Sequence, residues 1–357
     1  MEYTVDYFIG GENMSTITEY NCPNCNAGLE FNPEIQKWKC NYCFSEFNED
    51  EVDAITKENT SHTEEHIGDL DSYTCTNCGA ELIADDTTAA TFCIYCRSHS
   101  IIKTRFSGKF APKSVIPFKI GKEKAQEIYR AWIKKKKFAP KGFKEKKCIE
   151  KITGIYVPFW LFDNNVRGEL SGKGTKVHSW SDGDYNYTKT KYYNIIRECT
   201  SKYNGIPVDG LKKLDDYLME EIEPYNYGEL TDFSIKYMSG FMAEKYNVDA
   251  TEAKDVASKK VEKYLSSRLA ETVSGYSTFN PNSNRVTITK TDYSYAMLPI
   301  YLLVNEYKGK KYEFIINGQT GKVIGEAPTD HGSQIKYASI IFIITWLIIV
   351  FGGAAIV

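Results

Sequence analysis

The second half of the chain alternates apolar with polar residues over long stretches, which is the pattern of β-strands with one exposed face. Residues 167–196 alternate in this way, and the break at residues 181–184, Ser-Asp-Gly-Asp, predicts the turn of a hairpin. Residues 154–162 and 296–304 are instead continuous apolar runs, which are typical of buried strands. Both runs contain Pro, an aromatic residue and Leu in the same order, which indicates two parts of one sheet. The proline should place each run at a strand start, an edge or a bulge.

Two further segments have the period of a helix. A short helix is expected over residues 211–222. A longer one is expected from Asp249, which with Glu252 resembles a capping box, to about Val273. Its predicted buried stripe consists of Ala253, Ala257, Val261, Leu265 and Leu269. Residues 105–330 are therefore predicted to form an α+β domain with an antiparallel sheet and, as the charge pattern indicates, a basic N-terminal helix.

Charge is unevenly distributed along the chain, although the formal net charge is only −3. Residues 49–71 carry nine acidic residues and one lysine, which predicts a flexible acidic linker. Residues 103–147 carry sixteen Lys or Arg residues and three Glu. Within them an amphipathic helix is expected, ending in Lys134–Lys137, where positive charge complements the helix dipole. Three interpretations of these four lysines stay open: a solvated helix end, a contact with anionic lipid, and a contact with nucleic acid.

The C-terminal segment differs in composition from the rest of the chain. Residues 337–357 contain no charged residue, and the stretch from Ile340 to Phe351 is almost wholly apolar. As a helix these residues would span about 31 Å, which is enough to cross the hydrocarbon layer of a bilayer. This predicts a C-terminal transmembrane helix at residues 337–357 and a single-pass, tail-anchored protein of the cell membrane. The absence of a signal peptide, the many free cysteines and Lys336 before the span predict that the bulk of the chain is cytosolic.

Eight of the ten cysteines form two clusters of identical spacing, CxxC, fourteen residues, CxxC. The first cluster comprises Cys22, Cys25, Cys40 and Cys43, and the second, 53 positions later, comprises Cys75, Cys78, Cys93 and Cys96. A CxxC turn directs two thiolates at one point, so two such turns close a tetrahedral four-sulfur site. The sequence therefore predicts two tandem zinc ribbons, at residues 19–48 and 72–104.

Four thiolates complete the coordination of zinc and leave no position for water or substrate, so the predicted sites are structural. Modules this small bury little apolar surface, and metal binding supplies folding free energy on the order of 10 kcal/mol. We predict two structural Zn²⁺ ions per chain; disulfide-bonded domains and iron sites of the rubredoxin kind are the alternatives. The predicted fold class is thus multidomain: two tandem four-cysteine zinc ribbons (small β), an α+β domain with an antiparallel sheet, and one C-terminal transmembrane helix.

No group of residues predicts catalysis. The histidines are scattered, at His62, His66, His99, His178 and His331. Cys148 and Cys199 are isolated, and a lone cysteine is usually a small buried hydrophobic residue. The sequence contains neither a phosphate-binding glycine-rich loop before a helix nor a nucleophile elbow. The chain is therefore predicted not to be an enzyme.

The chain resembles a family of bacterial membrane proteins with a zinc ribbon of the transcription-factor-IIB type, some of which carry a primosomal-helicase-like label. The matching segments lie at residues 75–80, 92–96, 156–160, 206–210, 223–225, 298–299 and 317–322. The resemblance covers most of the chain. It implies a non-enzymatic membrane protein, often encoded beside phage-shock-A-like and SPFH-type proteins, which would be its protein partners at the membrane. The sequence has no helicase ATP-binding motif, so a helicase is not expected.

Together these features predict a membrane-tethered, zinc-stabilised cytosolic interaction or scaffold protein that docks a protein partner at the lipid bilayer, with the response to membrane stress as the expected process. The alternative is a nucleic-acid-binding zinc-ribbon protein held at the membrane. Residues 20–48 of the first ribbon contain two lysines against three glutamates, and an acidic segment follows. Because phosphate binding requires a basic surface, nucleic acid is not an expected partner of the protein.

Overall fold

The computed structural model describes residues 22–25, 27–59, 71–75, 81–84, 93, 95, 101–105 and 112–353. Its strands are β1 (Leu29–Asn32), β2 (Lys37–Cys40), β3 (Glu46–Phe47), β4 (Asp71–Cys75), β5 (Glu81–Ala84), β6 (Ile101–Arg105), β7 (Ser114–Val115), β8 (Thr153–Asp182), β9 (Tyr185–Asp209), β10 (Thr231–Asp232), β11 (Met242–Glu244), β12 (Thr278–Tyr307), β13 (Lys310–Asn317) and β14 (Val323–Gly325). Its α-helices are α1 (Glu49–Asn59), α2 (Lys122–Lys135), α3 (Lys146–Ile149), α4 (Asp216–Glu221), α5 (Ala250–Glu271) and α6 (His331–Gly353).

Two sheets organise these strands. The small sheet has the order β1-β2-β3. The large sheet has eleven strands, in the order β10-β7-β12-β8-β11-β5-β4-β6, with β13 beside β12, β14 beside β13 and β9 beside β8. Most neighbours are antiparallel, but β11 runs parallel to β8 and β7 runs parallel to β12. The predicted antiparallel sheet is therefore confirmed.

The centre of the large sheet is buried on both faces, which explains the two continuous apolar runs in the sequence. In β8, Val157 and Phe159 join the hydrophobic cluster on one face, whereas Tyr156 and Trp160 join the cluster on the other. Strand β12 behaves in the same way and lies directly beside β8, with Tyr156 opposite Pro299. The two runs are thus neighbouring strands of one sheet, as their similarity predicted.

The prolines of these strands do not lie at a strand start, sheet edge or bulge, contrary to the prediction. Strand β12 lies along one side of β8. On the other side, β11 pairs with β8 as far as Tyr156 and β9 pairs with it from Phe159 onward, so Pro158 lies between these two partners. Pro299 lies where the neighbour of β12 changes from β7 to β13. The amides of Gly210 and Gly318 donate to the carbonyls of Pro158 and Pro299, each at 2.9 Å, so the hydrogen bonds made at these positions use the proline carbonyl and need no proline N–H.

Strands β8, β9 and β12 continue beyond the body as a three-stranded arm, formed by residues 163–182, 185–205 and 278–292. Asp182 lies opposite Tyr185, so the β8–β9 hairpin closes with a two-residue turn in which Gly183 has φ +59°, and this confirms the predicted turn.

Helix α5 packs along one face of the arm through its buried residues Ala253, Ala257, Val261, Leu265 and Leu269, which are the predicted stripe. Asp249 caps this helix by accepting hydrogen bonds from the backbone amides of Thr251 and Glu252. Past the end of α5, every residue from 176 to 192 is exposed.

The predicted fold class is wrong in two respects, and the first concerns the second ribbon. Strands β4, β5 and β6 belong to that predicted module, but β5 pairs with β11 and so continues the large sheet. Among the described residues a single group of four cysteines, Cys22, Cys25, Cys40 and Cys43, comes together. Cys78 and Cys96 lie outside the described residues.

The second correction concerns the C-terminus. Helix α6 begins at His331, six residues before the predicted span, so its first turns contain polar residues such as Gln334 and Lys336. Within the part of the chain that the structure describes, no helix is both long enough and apolar enough to cross a membrane. The predicted transmembrane helix at residues 337–357, and with it the single-pass, tail-anchored location in the cell membrane, is therefore wrong on this structure.

The acidic segment also differs from the prediction of a flexible linker over residues 49–71. Residues 49–59 form helix α1, which has three acidic residues in its first turn, where negative charge is favourable. Residues 60–70 of the predicted linker lie outside the described residues.

Candidate metal centre and its attachment to the body

The first cysteine cluster has the dimensions of a metal site. Two sulfur pairs, Cys22 Sγ to Cys43 Sγ and Cys25 Sγ to Cys40 Sγ, are each 3.4 Å apart, and all four sulfur atoms lie within 4.8 Å of one another. A disulfide would require about 2.05 Å, whereas a zinc tetrahedron with bonds of about 2.3 Å has sulfur–sulfur edges of about 3.8 Å. The four thiols are free, and their arrangement is compatible with one tetrahedral metal ion.

Backbone hydrogen bonds hold the two cysteine turns in place. The amide of Cys22 donates to the carbonyl of Ala27 (2.8 Å), and the amide of Cys40 donates to the carbonyl of Ser45 (2.9 Å). The Ser45 hydroxyl lies 3.2 Å from Cys43 Sγ and accepts a hydrogen bond from the Asn24 side chain at 2.8 Å. Ser45 thus links the two turns and orients a sulfur atom, which is the role of an outer-shell partner in metal sites.

The electrostatics of the cluster also fit a cation. Hydrogen bonds from the Ser45 hydroxyl and backbone amide lower the pKa of the Cys43 thiol to about 6. A hydrogen bond from the Ala27 amide favours ionisation of Cys25, but burial and the neighbouring thiols outweigh it and raise the Cys25 pKa to about 12. Burial raises the pKa of Cys22 as well. Four thiolates this close repel one another, so a bound cation is what allows all four to ionise together.

The second cysteine turn presents two exposed aromatic side chains. Tyr42 is 78% exposed and Phe44 is 71% exposed, and they flank the metal-binding candidate Cys43. Phe44 has φ +63°, the left-handed conformation that costs a residue with a side chain about 1–2 kcal/mol. The amide of Phe44 donates to the Cys40 carbonyl at 2.9 Å, which closes the turn and holds this conformation.

The ribbon is attached to the body through Trp38, which is buried. Its ring lies 5.1 Å from that of Phe31 and 5.4 Å from that of Tyr237, which belongs to a short 3₁₀ turn of the body at Ile235–Met238. The indole N–H of Trp38 donates to the carbonyl of Lys236 at 2.9 Å. These contacts make one continuous hydrophobic cluster of ribbon and body.

Lys236 is the charged centre of the same contact and is almost fully buried. Its Nζ lies 2.6 Å from Asp53 Oδ1 and 3.0 Å from Glu49 Oε1, both on helix α1, and 5.5 Å from the centre of the Trp38 ring. Tyr237 donates a further hydrogen bond to Glu49 at 2.8 Å. A buried ammonium needs such partners to offset its desolvation, so the acidic segment is held against the body at this point.

The described residues of the second cluster are placed differently. Cys75 and Cys93 are buried in the hydrophobic cluster on the opposite face of the large sheet. Tyr95, two residues after Cys93, donates a hydrogen bond to the buried carboxylate of Glu244 on β11. Lys213 lies 4.0 Å from the same carboxylate. The second cysteine segment is therefore tied to the body by a buried polar contact.

The basic helix is confirmed, with Ala125, Tyr129 and Ile133 buried and its last residue at Lys135. Lys136 lies 5.1 Å over the ring of Trp132, and Lys137 lies 5.8 Å over that of Tyr337. Residues 135–139 and 327–329 line a shallow groove beside these lysines.

Sequence reasoning missed three interactions: the ion pairs of Lys236, the hydrogen bond to Glu244, and the stacking of aromatic rings on the arm. Lys236 is one of many lysines in the sequence, and Glu244 ends a short strand without any motif. The alternation of apolar and polar residues along the arm predicts exposed aromatic side chains, but it does not predict that their rings stack on one another.

The isolated cysteines and the histidines have no common site among the described residues. Cys148 is buried and Cys199 is partly buried, as expected for isolated cysteines. His62, His66 and His99 lie outside the described residues. His178 lies on the arm, and His331 contacts Gln334 at the start of α6.

Comparison with known proteins finds a relative of similar length. No protein-family model matches the chain, and no solved structure matches it. The chain is 36% identical over 323 residues to the uncharacterized protein YdjG of Bacillus subtilis (strain 168), and this alignment covers 90% of the chain and 94% of YdjG.

Proposed function

The chain belongs to the same family as YdjG of Bacillus subtilis, and we propose that it is a non-catalytic, zinc-stabilised interaction protein whose ribbon binds a protein partner. In this proposal the partner contacts the tip of the ribbon, formed by Tyr42 and Phe44. The metal and the body fix the position of this tip.

The observation that carries the proposal is the conformation of Phe44. A glycine or asparagine would adopt φ +63° at lower cost, yet this position carries a large, exposed ring. Residues in strained backbone conformations cluster at active sites, ligand-binding sites and switch regions, which supports a binding role for this turn. Aromatic residues are also the side chains that contribute most to protein–protein binding.

Zinc is the metal that the four sulfur ligands favour. Cys22, Cys25, Cys40 and Cys43 would hold it, and it would supply folding free energy to a module that is too small to fold without it. We extend the same assignment to Cys75, Cys78, Cys93 and Cys96 because their spacing repeats that of the first cluster. Elemental analysis of protein purified under reducing conditions should find two zinc ions per chain, and the Cys43→Ser variant should lose one. One ion in the unmodified chain would remove the second assignment, and none would remove both.

Site-specific photo-cross-linking tests the binding surface. A photoreactive phenylalanine analogue is introduced at position 44 and, as a control, at position 217, where Tyr217 is exposed on the body. Irradiation in the source cells should give a discrete protein adduct from position 44 and not from position 217. The adduct should disappear when Cys43→Ser is added, because the turn then loses its metal.

A position-44 adduct that persists without the metal, or equal labelling from both positions, would refute the ribbon tip as the binding surface. The zinc measurement is independent of this result. A failure of partner binding is therefore distinguishable from a failure of the metal assignment.

A further inference from the structure

We propose that the exposed end of the β-arm binds single-stranded nucleic acid. The ribbon has the wrong charge for this ligand, as the sequence indicates, but the arm end is a separate surface with its own chemistry. The surface consists of the side chains on one face of the β8–β9 hairpin beyond helix α5.

A ladder of stacked rings forms the centre of this surface. The rings of His178 and Trp180 lie 5.6 Å apart with an interplanar angle of 26°, and those of Trp180 and Tyr187 lie 5.4 Å apart at 14°. Trp180 is 44% exposed and Tyr187 is 43% exposed, so both rings are partly open to solvent. Rings of this kind bind the faces of unpaired bases with little dependence on sequence.

Lysines flank the ladder on the same face. In the register of the hairpin, Lys189 lies directly opposite His178, and Lys176 lies directly opposite Lys191. Like charges on opposed residues destabilise a β-ladder, and none of the three lysines forms an ion pair within the described part of the chain. Lys176 contacts rings instead, with its Nζ 5.9 Å from the ring centre of Tyr193 and 5.2 Å from that of Tyr276. This uncompensated positive charge, on a chain with net charge −3, indicates an anionic ligand.

The combination of rings and cations selects the ligand class. Asp182 and Asp184 lie at the hairpin turn, so a phosphate backbone would run past the lysines on the side away from the turn. A duplex conceals the faces of its bases and offers the ladder nothing to stack on, whereas a single strand offers both bases and phosphates. An acidic peptide would satisfy the lysines but would leave the ring faces without flat partners.

The opposite face of the same hairpin provides matched controls. Tyr192 lies opposite Thr175 and is 80% exposed, and Lys173 lies opposite Asn194. Both residues are therefore on the other face of the same hairpin, farther from the turn than Trp180 and Tyr187. Tyr192→Thr removes an exposed ring without touching the ladder, and Lys173→Gln removes one positive charge.

The test is fluorescence anisotropy of a labelled oligo(dT), about twelve nucleotides long, with the full-length protein. We expect binding that weakens by at least about tenfold in Trp180→Thr and in the double variant Lys189→Gln/Lys191→Gln. The Tyr192→Thr and Lys173→Gln variants should bind within about twofold of the unmodified protein. The slope of log affinity against log salt should be about −2, the value expected if three lysines contact phosphates of a single strand.

Three results would overturn the proposal. The first is no binding of oligo(dT), and the second is equal loss of affinity in the control variants. The third is equal or tighter binding of a duplex, of polyphosphate or of polyglutamate, which would show that charge alone, or a protein partner, is recognised. Zinc content and circular dichroism of each variant establish that it is folded. If Trp180→Thr disturbs the hairpin, the lysine double variant still tests the proposal, because it leaves the ring ladder intact.

Discussion

The carboxyl group of Glu223 should destabilise the folded protein at neutral and alkaline pH. Burial raises its pKa from 4.5 to about 7, and this effect outweighs the attraction of Lys260 and the hydrogen bond from the Tyr227 hydroxyl. Lys322 adds a weaker attraction to the carboxylate, and its Nζ donates to the backbone carbonyl of Glu223 at 2.5 Å. The folded state therefore holds this proton more tightly than the unfolded state does.

The sign and size of the effect follow from that difference. Above pH 7 the group is ionised in both states, and the folded state bears the cost of a poorly solvated charge. A shift from 4.5 to about 7 corresponds to about 3 kcal/mol, and the residual solvent contact of the side chain reduces this to about 2 kcal/mol. This cost disappears as the pH falls from 7 towards 4.5, because the folded state then takes up the proton first.

Replacement of Glu223 by Gln removes the charge and keeps the shape of the side chain. Urea unfolding should show Glu223→Gln to be more stable than the unmodified protein by about 2 kcal/mol at pH 8, and by less than about 1 kcal/mol at pH 5. The control is Glu221→Gln, which removes an exposed carboxylate two residues away. It should change stability by no more than about 0.5 kcal/mol at either pH.

Burial also raises the pKa of Asp209, to about 6, and this group titrates in the same pH range. Asp209 is present in both variants and in the unmodified protein. Its contribution to the pH dependence of stability therefore cancels when the proteins are compared, and so does the contribution of the cysteine cluster. A stability difference for Glu223→Gln that is the same at pH 5 and pH 8, or a loss of stability at pH 8, would refute the reasoning.

Three further substitutions test the ribbon, its attachment and the arm. Phe44→Gly should stabilise the zinc-bound ribbon by about 1 kcal/mol in chemical denaturation because it removes the left-handed strain, and a destabilised variant would show that the ring itself contributes to folding. Lys236→Met should cost about 2 kcal/mol and increase hydrogen exchange in residues 27–59, and unchanged exchange there would contradict the role of this contact in attachment. Gly172→Ala should cost about 2 kcal/mol in thermal unfolding because its Cβ would lie 2.5 Å from the backbone carbonyl oxygen of Asn280, and an unchanged melting temperature would mean that the strands separate freely there.

The local elements of the body could be predicted from the sequence because each has a strong local cause. The apolar stripe from Ala253 to Leu269 and the Asp249 cap define helix α5 almost to the residue. The Gly183 turn and the alternation around it define the arm hairpin. In each case the local sequence pattern agrees with the final packing, so residues that are close in sequence carry enough information to predict the element.

The second ribbon shows why the wider organisation could not be predicted. The repeat of the cysteine spacing indicates an independent module, but β5 finds a partner edge in β11, far later in the chain. Nothing near residues 81–84 identifies that partner, since strand pairing depends on which edges the rest of the fold leaves open. The acidic segment is a similar case, because α1 owes part of its order to Lys236, a single lysine far along the chain.

The C-terminal prediction is a separate case. The stretch from Ile340 to Phe351 is almost wholly apolar, which is the composition that predicts a membrane span. In the structure the helix begins at His331, in a polar segment, and no helix among the described residues is both long enough and apolar enough to cross a membrane.

The two proposed binding surfaces are held by different contacts within one hydrophobic cluster, and their independence can be tested. The ribbon tip depends on Trp38 and Lys236, whereas the arm end depends on α5 and on the close approach of Gly172 to β12. Because these groups share no partner, their effects should be independent. Lys236→Met should therefore reduce cross-linking from position 44 and leave oligo(dT) affinity within about twofold, and Gly172→Ala should do the reverse. If either substitution impairs both activities in protein that remains folded, the ribbon and the arm are one coupled surface, and a single partner that spans both becomes the better explanation.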